Sequence, residues 1–421
     1  MALVCTALAA ARRGFIAALS LVLLSAPLAA QAVELAKLAA SDGTPDSRFG
    51  YALAIEGDRI VVGAPGVELA SDAGAAYVFE RRPHSGWIEV AKLTASNPQP
   101  EGHFGRTVAM SGNRVIIGAG AFFGVPTLGQ AYVFERSASG DWLQVAELEP
   151  SDGAQGLGQA FGTSVALDGD RALVGAPADK PLDSPGAAYL FEHQPDGAWT
   201  QVEKLKPMTV YPYGHAGSSV ALDGDRVLLG APWDDFGFDA KGCSQVGSVA
   251  VFERDPFGGW TETEEFQALD AFCYGFFGSG LSLEKDRALV GSNGDDWIPF
   301  NAGSAYIFER TSLGWRQVAK LVAPDGSESD YFGGGVLSRD WALVRASKSY
   351  QSSDPGKAYL FRRHLNGEWL LAAEIGSSTG TASENFGDVV ALQDGRAVIG
   401  APSGDGVVPG TGIAYVFDLG H

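Results

Sequence analysis

The chain has 421 residues, a formal charge of −20, 56 glycines and 10% aromatic residues. So acidic a chain lacks the basic patches that nucleic acid or an anionic membrane surface requires, and so aromatic a chain is not disordered. Many glycines among many aromatics point to tight turns between short buried strands.

Residues 1–32 read as an export leader. Arg12 and Arg13 form its positive end, Phe15 to Leu24 its apolar stretch, and Ala30-Gln31-Ala32 a small-x-small cleavage site. The apolar stretch is too short to span a bilayer comfortably. Cleavage would leave a chain beginning at Val33 with a net charge of −22. No later segment is apolar enough for a span, and the leader's Cys5 lies ahead of the apolar stretch, where it cannot serve as a lipid anchor. The product is expected in the periplasm, at the cell surface or in the medium.

Residues 33–421 are expected to form one domain, because a repeat runs through all of them. Ser164–Arg171 and Ser219–Arg226 both read SVALDGDR. Extending that match gives seven copies, anchored at Phe49-Gly50, Phe104-Gly105, Phe161-Gly162, Ala216-Gly217, Phe277-Gly278, Phe332-Gly333 and Phe386-Gly387. The spacing is 54 to 61 residues, and only the fourth copy loses its Phe. Each copy reads as four strands, A to D. In the third, strand A is Ser164 to Leu167, and Asp168-Gly169-Asp170 is a tight turn. Strand B is Arg171 to Gly175, ended by Ala176-Pro177, since proline cannot donate to a ladder. Strand C is Ala188 to Glu192, and strand D is Trp199 to Leu205. Strands B and C are apolar on both faces, so each sheet must be covered on both sides. A ring of four-stranded sheets achieves this; the expected fold is an all-β, seven-bladed propeller. The seventh copy has no strand D. Val33–Leu38 resembles the strand D of copy one, Ile88–Leu93, so the N-terminal strand should complete the last blade.

These motifs resemble FG-GAP repeats, the unit of the integrin α-subunit propeller, in the short bacterial form. The anchors supply the FG. The GAP stands intact at Gly63-Ala64-Pro65, Gly175-Ala176-Pro177, Gly230-Ala231-Pro232 and Gly400-Ala401-Pro402, and has drifted in the other copies, as at Arg345-Ala346-Ser347. The resemblance implies adhesion or ligand binding. Calcium-binding members carry a long carboxylate-rich A–B loop. Here that connection is as short as Glu56-Gly57-Asp58, too few oxygens to wrap calcium. No metal site or cofactor is carried over, and folding is expected not to need calcium.

The six histidines show no metal-ligand spacing, and His84, His193 and His364 sit at solvated C–D turns. No nucleophile elbow or phosphate loop occurs. The strand-D tryptophans recur in register and are packing residues. The A strands are mostly Gly, Ser, Val, Ala and Leu, so the convergent carboxylates or histidines of a polysaccharide hydrolase or lyase are not expected there. Function is sought where the repeat breaks. The B–C and D–A loops share one face of a propeller. Copy four has the longest B–C loop, with Trp233, Asp234, Asp235 and Phe236, and copy five answers with Asp295, Asp296 and Trp297. Aromatics flanked by acids in non-repeating loops suggest an interaction surface. Cys243 and Cys273 are expected to bridge beside it in an oxidising compartment. The expectation is a monomeric, non-catalytic binding or scaffold propeller for a protein or glycan. A glycan-active enzyme is the first alternative, and a structural module of a surface assembly the second.

Overall fold

Short turns set the architecture. Each A–B connection is a two-residue hairpin, such as Asp168↔Arg171 closing on Gly169 and Asp170. Gly169 sits at φ 55°, in the left-handed region that favours glycine. The strands it joins alternate between two covered faces. Strand B, Arg171–Ala176, is almost wholly buried, as is most of strand C, Ala187–His193.

The computed structural model describes residues 32–66, 73–98, 102–120, 129–152, 160–177, 184–208, 210–235, 244–295, 302–327, 330–346, 355–381 and 384–420. Within these the chain forms seven four-stranded antiparallel sheets and no helix. The proposed leader lies outside them. Six blades run A-B-C-D in chain order. The seventh takes Val389–Gln393, Arg396–Ala401 and Ile413–Asp418 from the C-terminal end, and Val33–Leu38 as its fourth strand. Lys37 pairs with Tyr415 and Leu38 with Ala414. The expected offset closure is present.

The A strands touch in a closed cycle, the last against the first. Each anchor Phe holds two blades together. Phe161 is buried edge-on against Tyr189 and Phe191 of its own blade. Equivalent backbone bridges cross to the preceding blade, as in Phe49↔Gly412 and Gly74↔Phe104. The GAP glycine has a steric reason. A Cβ on Gly63 would fall 2.0 Å from the carbonyl of Gly105 in the next blade.

On the opposite face a ring of arginines does the same work. Arg171 pairs with Glu192 of its own blade, covers Trp260 of the next, and donates to the next A–B turn at Gly224 O, 2.7 Å. Arg396 donates to Gly57 O at 2.7 Å, so this ring also closes between blades seven and one. The strand-D tryptophans are packing residues in this stack, as their register implied. His193 departs from the expected solvated turn. Its ring lies half-buried against Trp199, and its Nδ1 sits 3.1 Å from Arg114 Nη2, because the arginine ring draws the C–D turn into its network.

Candidate binding face

Among the described residues the D–A and B–C connections share one face, and blades four and five make it irregular. Most D–A connections begin with a polar turn such as Ser41-Asp42-Gly43. The connection into blade four instead carries Val210-Tyr211-Pro212-Tyr213, and the one into blade five carries Phe272-Cys273-Tyr274. Val210 is buried, in one apolar cluster with Ala216, Ala250 and Phe252. That space belongs in other blades to the anchor Phe and the strand-C Tyr, both of which are alanine here. With Val210 buried, the neighbouring rings of Tyr211 and Tyr213 point outward, 51% and 59% exposed. Trp233 joins them at 47% exposure, its edge against the half-buried ring of His215, 4.7 Å between centroids. Burial lowers the His215 pKa, and the contact of Nδ1 with Pro177 O at 3.1 Å opposes that shift only in part. Phe272 and Tyr274 extend the exposed aromatics into blade five.

Backbone bonds hold these loops in one continuous chain. Tyr213 N–H donates to Ser184 O of blade three, and Trp233 N–H to Gly214 O. Gln245 N–H donates to Asp235 Oδ1, Tyr274 N–H to Ser244 O, and Gly294 N–H to Gly275 O. A rigid platform loses little entropy when a partner binds it.

The expected site residues divide. Trp233 is exposed and Asp235 half-buried, as a binding surface requires. Asp234 and Asp295 do not face solvent, and the expectation for them is corrected. Asp234 is 0% exposed and its Oδ1 accepts the Tyr211 N–H at 2.8 Å; Asp295 accepts from Tyr306 Oη at 3.0 Å and Lys320 Nζ at 2.7 Å. Asp234 ties one loop to another, and Asp295 ties its loop to strands C and D. Phe236, Asp296, Trp297 and Cys243 lie outside the described residues. Cys273 is disulfide-bonded. Tyr211, Tyr213, Phe272 and Tyr274 were missed by the sequence reading. Their signal was the replacement of a polar turn by aromatics in two D–A connections.

A second candidate lies on the ring axis. The opening residues of the A strands line a cavity of about 400 Å³, with hydroxyls from Thr107, Thr163, Ser164, Ser218 and Ser219. Arg106, Arg345 and Asp388 are its charged groups. Arg345 stands at the GAP glycine position of blade six, and its Nη1 donates to Asp388 O at 3.1 Å.

Compared with known proteins, the chain matches the FG-GAP repeat family seven times, at residues 32–79, 87–134, 142–191, 199–252, 260–308, 315–361 and 369–417. Each match begins at a D strand and runs through the C strand of the next blade. No curated protein sequence matches significantly. Among solved structures the chain is similar to the periplasmic gluconolactonase PpgL of Pseudomonas aeruginosa, with a TM-score of 0.50 and 16% identity over 79% of this chain and 85% of that one. It is also similar to a protein from Lactobacillus plantarum, with a TM-score of 0.49 and 13% identity over 87% of each chain. Identities this low show likeness of fold alone.

Proposed function

This chain belongs to the FG-GAP repeat family, and from that premise we propose that it is an exported, non-catalytic propeller that binds a protein or glycan through the loop face of blades four and five. The observation that carries the reading is the cluster of exposed rings, Tyr211, Tyr213 and Trp233, continued by Phe272 and Tyr274. Large exposed aromatics on a tied-down surface suit stacking on sugar rings or anchoring in a partner's pockets. Asp235 beside them favours a ligand with hydroxyl or cationic donors. Export rests on the leader pattern of residues 1–32, and the acidic surface suits a soluble exported protein. No described helix is long and apolar enough to cross a membrane.

The axial cavity supports the enzymatic alternative less well. A glycosidase pairs two carboxyl groups across the scissile bond. The described lining supplies Asp388 as its one carboxylate, beside Arg345. The test is a glycan array and a surface-protein screen with purified residues 33–421, followed by Trp233→Ala and Tyr211→Ala. Either substitution should weaken the ligand found by about 2 kcal/mol, with the fold intact. Phe257→Ala is the control, since that ring is fully exposed on a C–D turn at the opposite face. A ligand lost on Arg345→Ala and kept by both aromatic variants would move function to the axis.

A further inference from the structure

Blade six breaks the repeat at a point where the other six blades agree. The first GAP residue is glycine at positions 63, 118, 175, 230, 291 and 400, and Arg345 takes its place in blade six. A Cβ on any of those six glycines would fall 2.0–2.3 Å from backbone of the next blade. In five blades the residue that opens strand A, Ala52, Thr107, Ser164, Ser219 or Val389, crowds the same point with its side chain. In blade six that residue is Gly335, and Gly334 precedes it. A Cβ on Gly334 would fall 2.9 Å from Arg345 Nε. Glycines on strand A thus make room for an arginine on strand B, and the three positions form one matched exchange.

Joining blades does not require that exchange. Arg345 Nη1 donates to Asp388 O of blade seven at 3.1 Å and lies 4.0 Å from Asp388 Oδ1. Blades two, three and four reach the next blade with a hydroxyl alone: Thr107 donates to Gly162 O at 3.1 Å, Ser164 to Gly217 O and Ser219 to Gly278 O, both at 2.7 Å. The arginine adds a fixed positive charge and a planar fork of N–H donors. Its bond to Asp388 O is the side chain's one hydrogen bond among the described residues, which leaves Nη2 for a ligand. The guanidinium stands in the wall of the axial cavity, whose rim also carries Tyr51, Arg106, Thr163, Ser218 and Asp388. Two arginines against one aspartate make this wall net positive, in a chain of charge −20. Thr163 Oγ1 donates to Ala160 O at 2.6 Å and Ser218 Oγ to His215 O at 2.8 Å, so both hydroxyls present themselves to a ligand as acceptors. Two residues further along the strands, about 7 Å deeper, the lining is aliphatic, as at Leu53, Val165 and Leu281. The charged end of any ligand therefore belongs at the rim.

We propose that the axial cavity binds a small hydroxylated carboxylate of the sugar-acid class, with its carboxylate on the Arg345 guanidinium and its hydroxyls donating to Thr163 and Ser218. Arginine meets a carboxylate through charge-assisted hydrogen bonds that fix its orientation. Acceptor oxygens on the rim call for a ligand that donates, and a sugar carries a hydroxyl donor on most of its carbons. Asp388 beside Arg345 accepts a further hydroxyl and repels a doubly charged anion, so a single carboxylate suits the place better than a phosphate. A volume of about 400 Å³ lies at the small end of the range for small-molecule sites, which fits one sugar unit rather than a chain. The site shares no residue with the aromatic surface of blades four and five, and it does not depend on that reading.

The experiment is calorimetric titration of the purified processed protein with D-glucuronate, beside D-glucose and inorganic phosphate. Wild type should bind one glucuronate per chain, and the other two probes about tenfold more weakly or not at all. The double variant Gly335→Ser/Arg345→Gly rebuilds the hydroxyl bridge of blades three and four without the charge. It should fold, melt as wild type does, and weaken glucuronate binding by about tenfold or more. Arg345→Gln removes the charge alone, and decides the matter should the double variant not fold. Trp233→Ala should leave glucuronate binding unchanged. No binding of glucuronate at millimolar concentration would overturn the proposal, and would leave the aromatic surface of blades four and five standing. Equal affinity for glucose would overturn it by removing the arginine's part, and equal affinity for phosphate by removing that of the hydroxyls. Binding lost in Trp233→Ala and kept in the double variant would overturn it by placing the acid on the aromatic surface.

Discussion

Removing Val33–Leu38 tests ring closure directly. The strand pairs with the last blade at five positions, from Val33↔Asp418 to Leu38↔Ala414. Its loss strips one ladder of backbone bonds, each worth about 1 kcal/mol net. Leu38 is 3% exposed in a cluster with Phe49 and Tyr77, and burial of a leucine contributes about 1.5–3 kcal/mol. Lys37 also lies over the Tyr415 ring, 5.3 Å from its centroid. Together these come to about 5 kcal/mol or more, a third to all of the stability usual for a domain. The deletion also leaves Ile413–Asp418 as an unpaired edge, which invites association. Guanidinium unfolding and light scattering after gel filtration should show a lower midpoint and loss of the monomer. A synthetic peptide of residues 33–38 should restore the midpoint, and a scrambled one should not. An unchanged midpoint with an intact monomer would refute the argument that this strand closes the ring.

Cys273 is predicted to bridge to Cys243, and reduction should cost about 3 kcal/mol, read as a shift in the guanidinium midpoint; two free thiols in the unfolded, unreduced protein would contradict the pairing. Hydrogen bonds from Lys92 and Tyr77 hold the Asp42 carboxyl below its ordinary pKa. A depressed carboxylate stabilises the fold above its unfolded pKa, so this contribution is full at neutral pH and fades as pH falls through about 4 and below. Asp42→Asn should therefore lose less stability than wild type between pH 6 and pH 3, measured by melts in matched buffers. Val210→Ala should cost about 2 kcal/mol, because Val210 fills the space that an anchor Phe and a strand-C Tyr fill elsewhere, and a smaller change than 0.5 kcal/mol would show that space to be filled otherwise.

The ring was legible because its determinants are local and repeated. A Phe-Gly anchor and a Tyr-x-Phe strand each recur in six of seven copies, and a two-residue A–B turn in all seven. Even the offset closure could be read, since Val33–Leu38 repeats a strand-D pattern. The site was less legible because burial of a polar side chain depends on partners distant in sequence. Asp234 and Asp235 are adjacent and chemically alike, yet one is sealed beneath the loop of Tyr211 and the other is half-exposed. Asp295 reads as a surface acid until Tyr306 and Lys320 are placed beside it. Tyr211 and Tyr213 were overlooked for the converse reason. They lie in a short connection of ordinary length, and attention to loop length alone passes over a change of composition. His193 was misplaced because the arginine ring that draws it in spans two blades.

Several of these departures meet in blade four, and a single local exchange links them. Losing the ring of Phe at Ala216 and of Tyr at Ala250 opens a space beneath the loop face. The preceding connection folds Val210 into it, and the same turn throws Tyr211 and Tyr213 outward. With no phenol to meet, the buried Asp234 carboxylate is free to take the Tyr211 backbone N–H, which fixes the exposed ring's base. Strand D brings Glu265 opposite Ala250, as blades two and six bring Glu147 and Glu374 opposite Tyr132 and Tyr359. Packing given up in one blade thus reappears as an exposed, tied-down aromatic surface above the buried Asp234 side chain. A repeat under selection for stability alone would restore the Phe and the Tyr, as the other six anchors and the other six strand-C positions bear neighbouring rings in contact. That the exception is confined to one blade, and is coherent from core to surface, is the physical reason for placing function there.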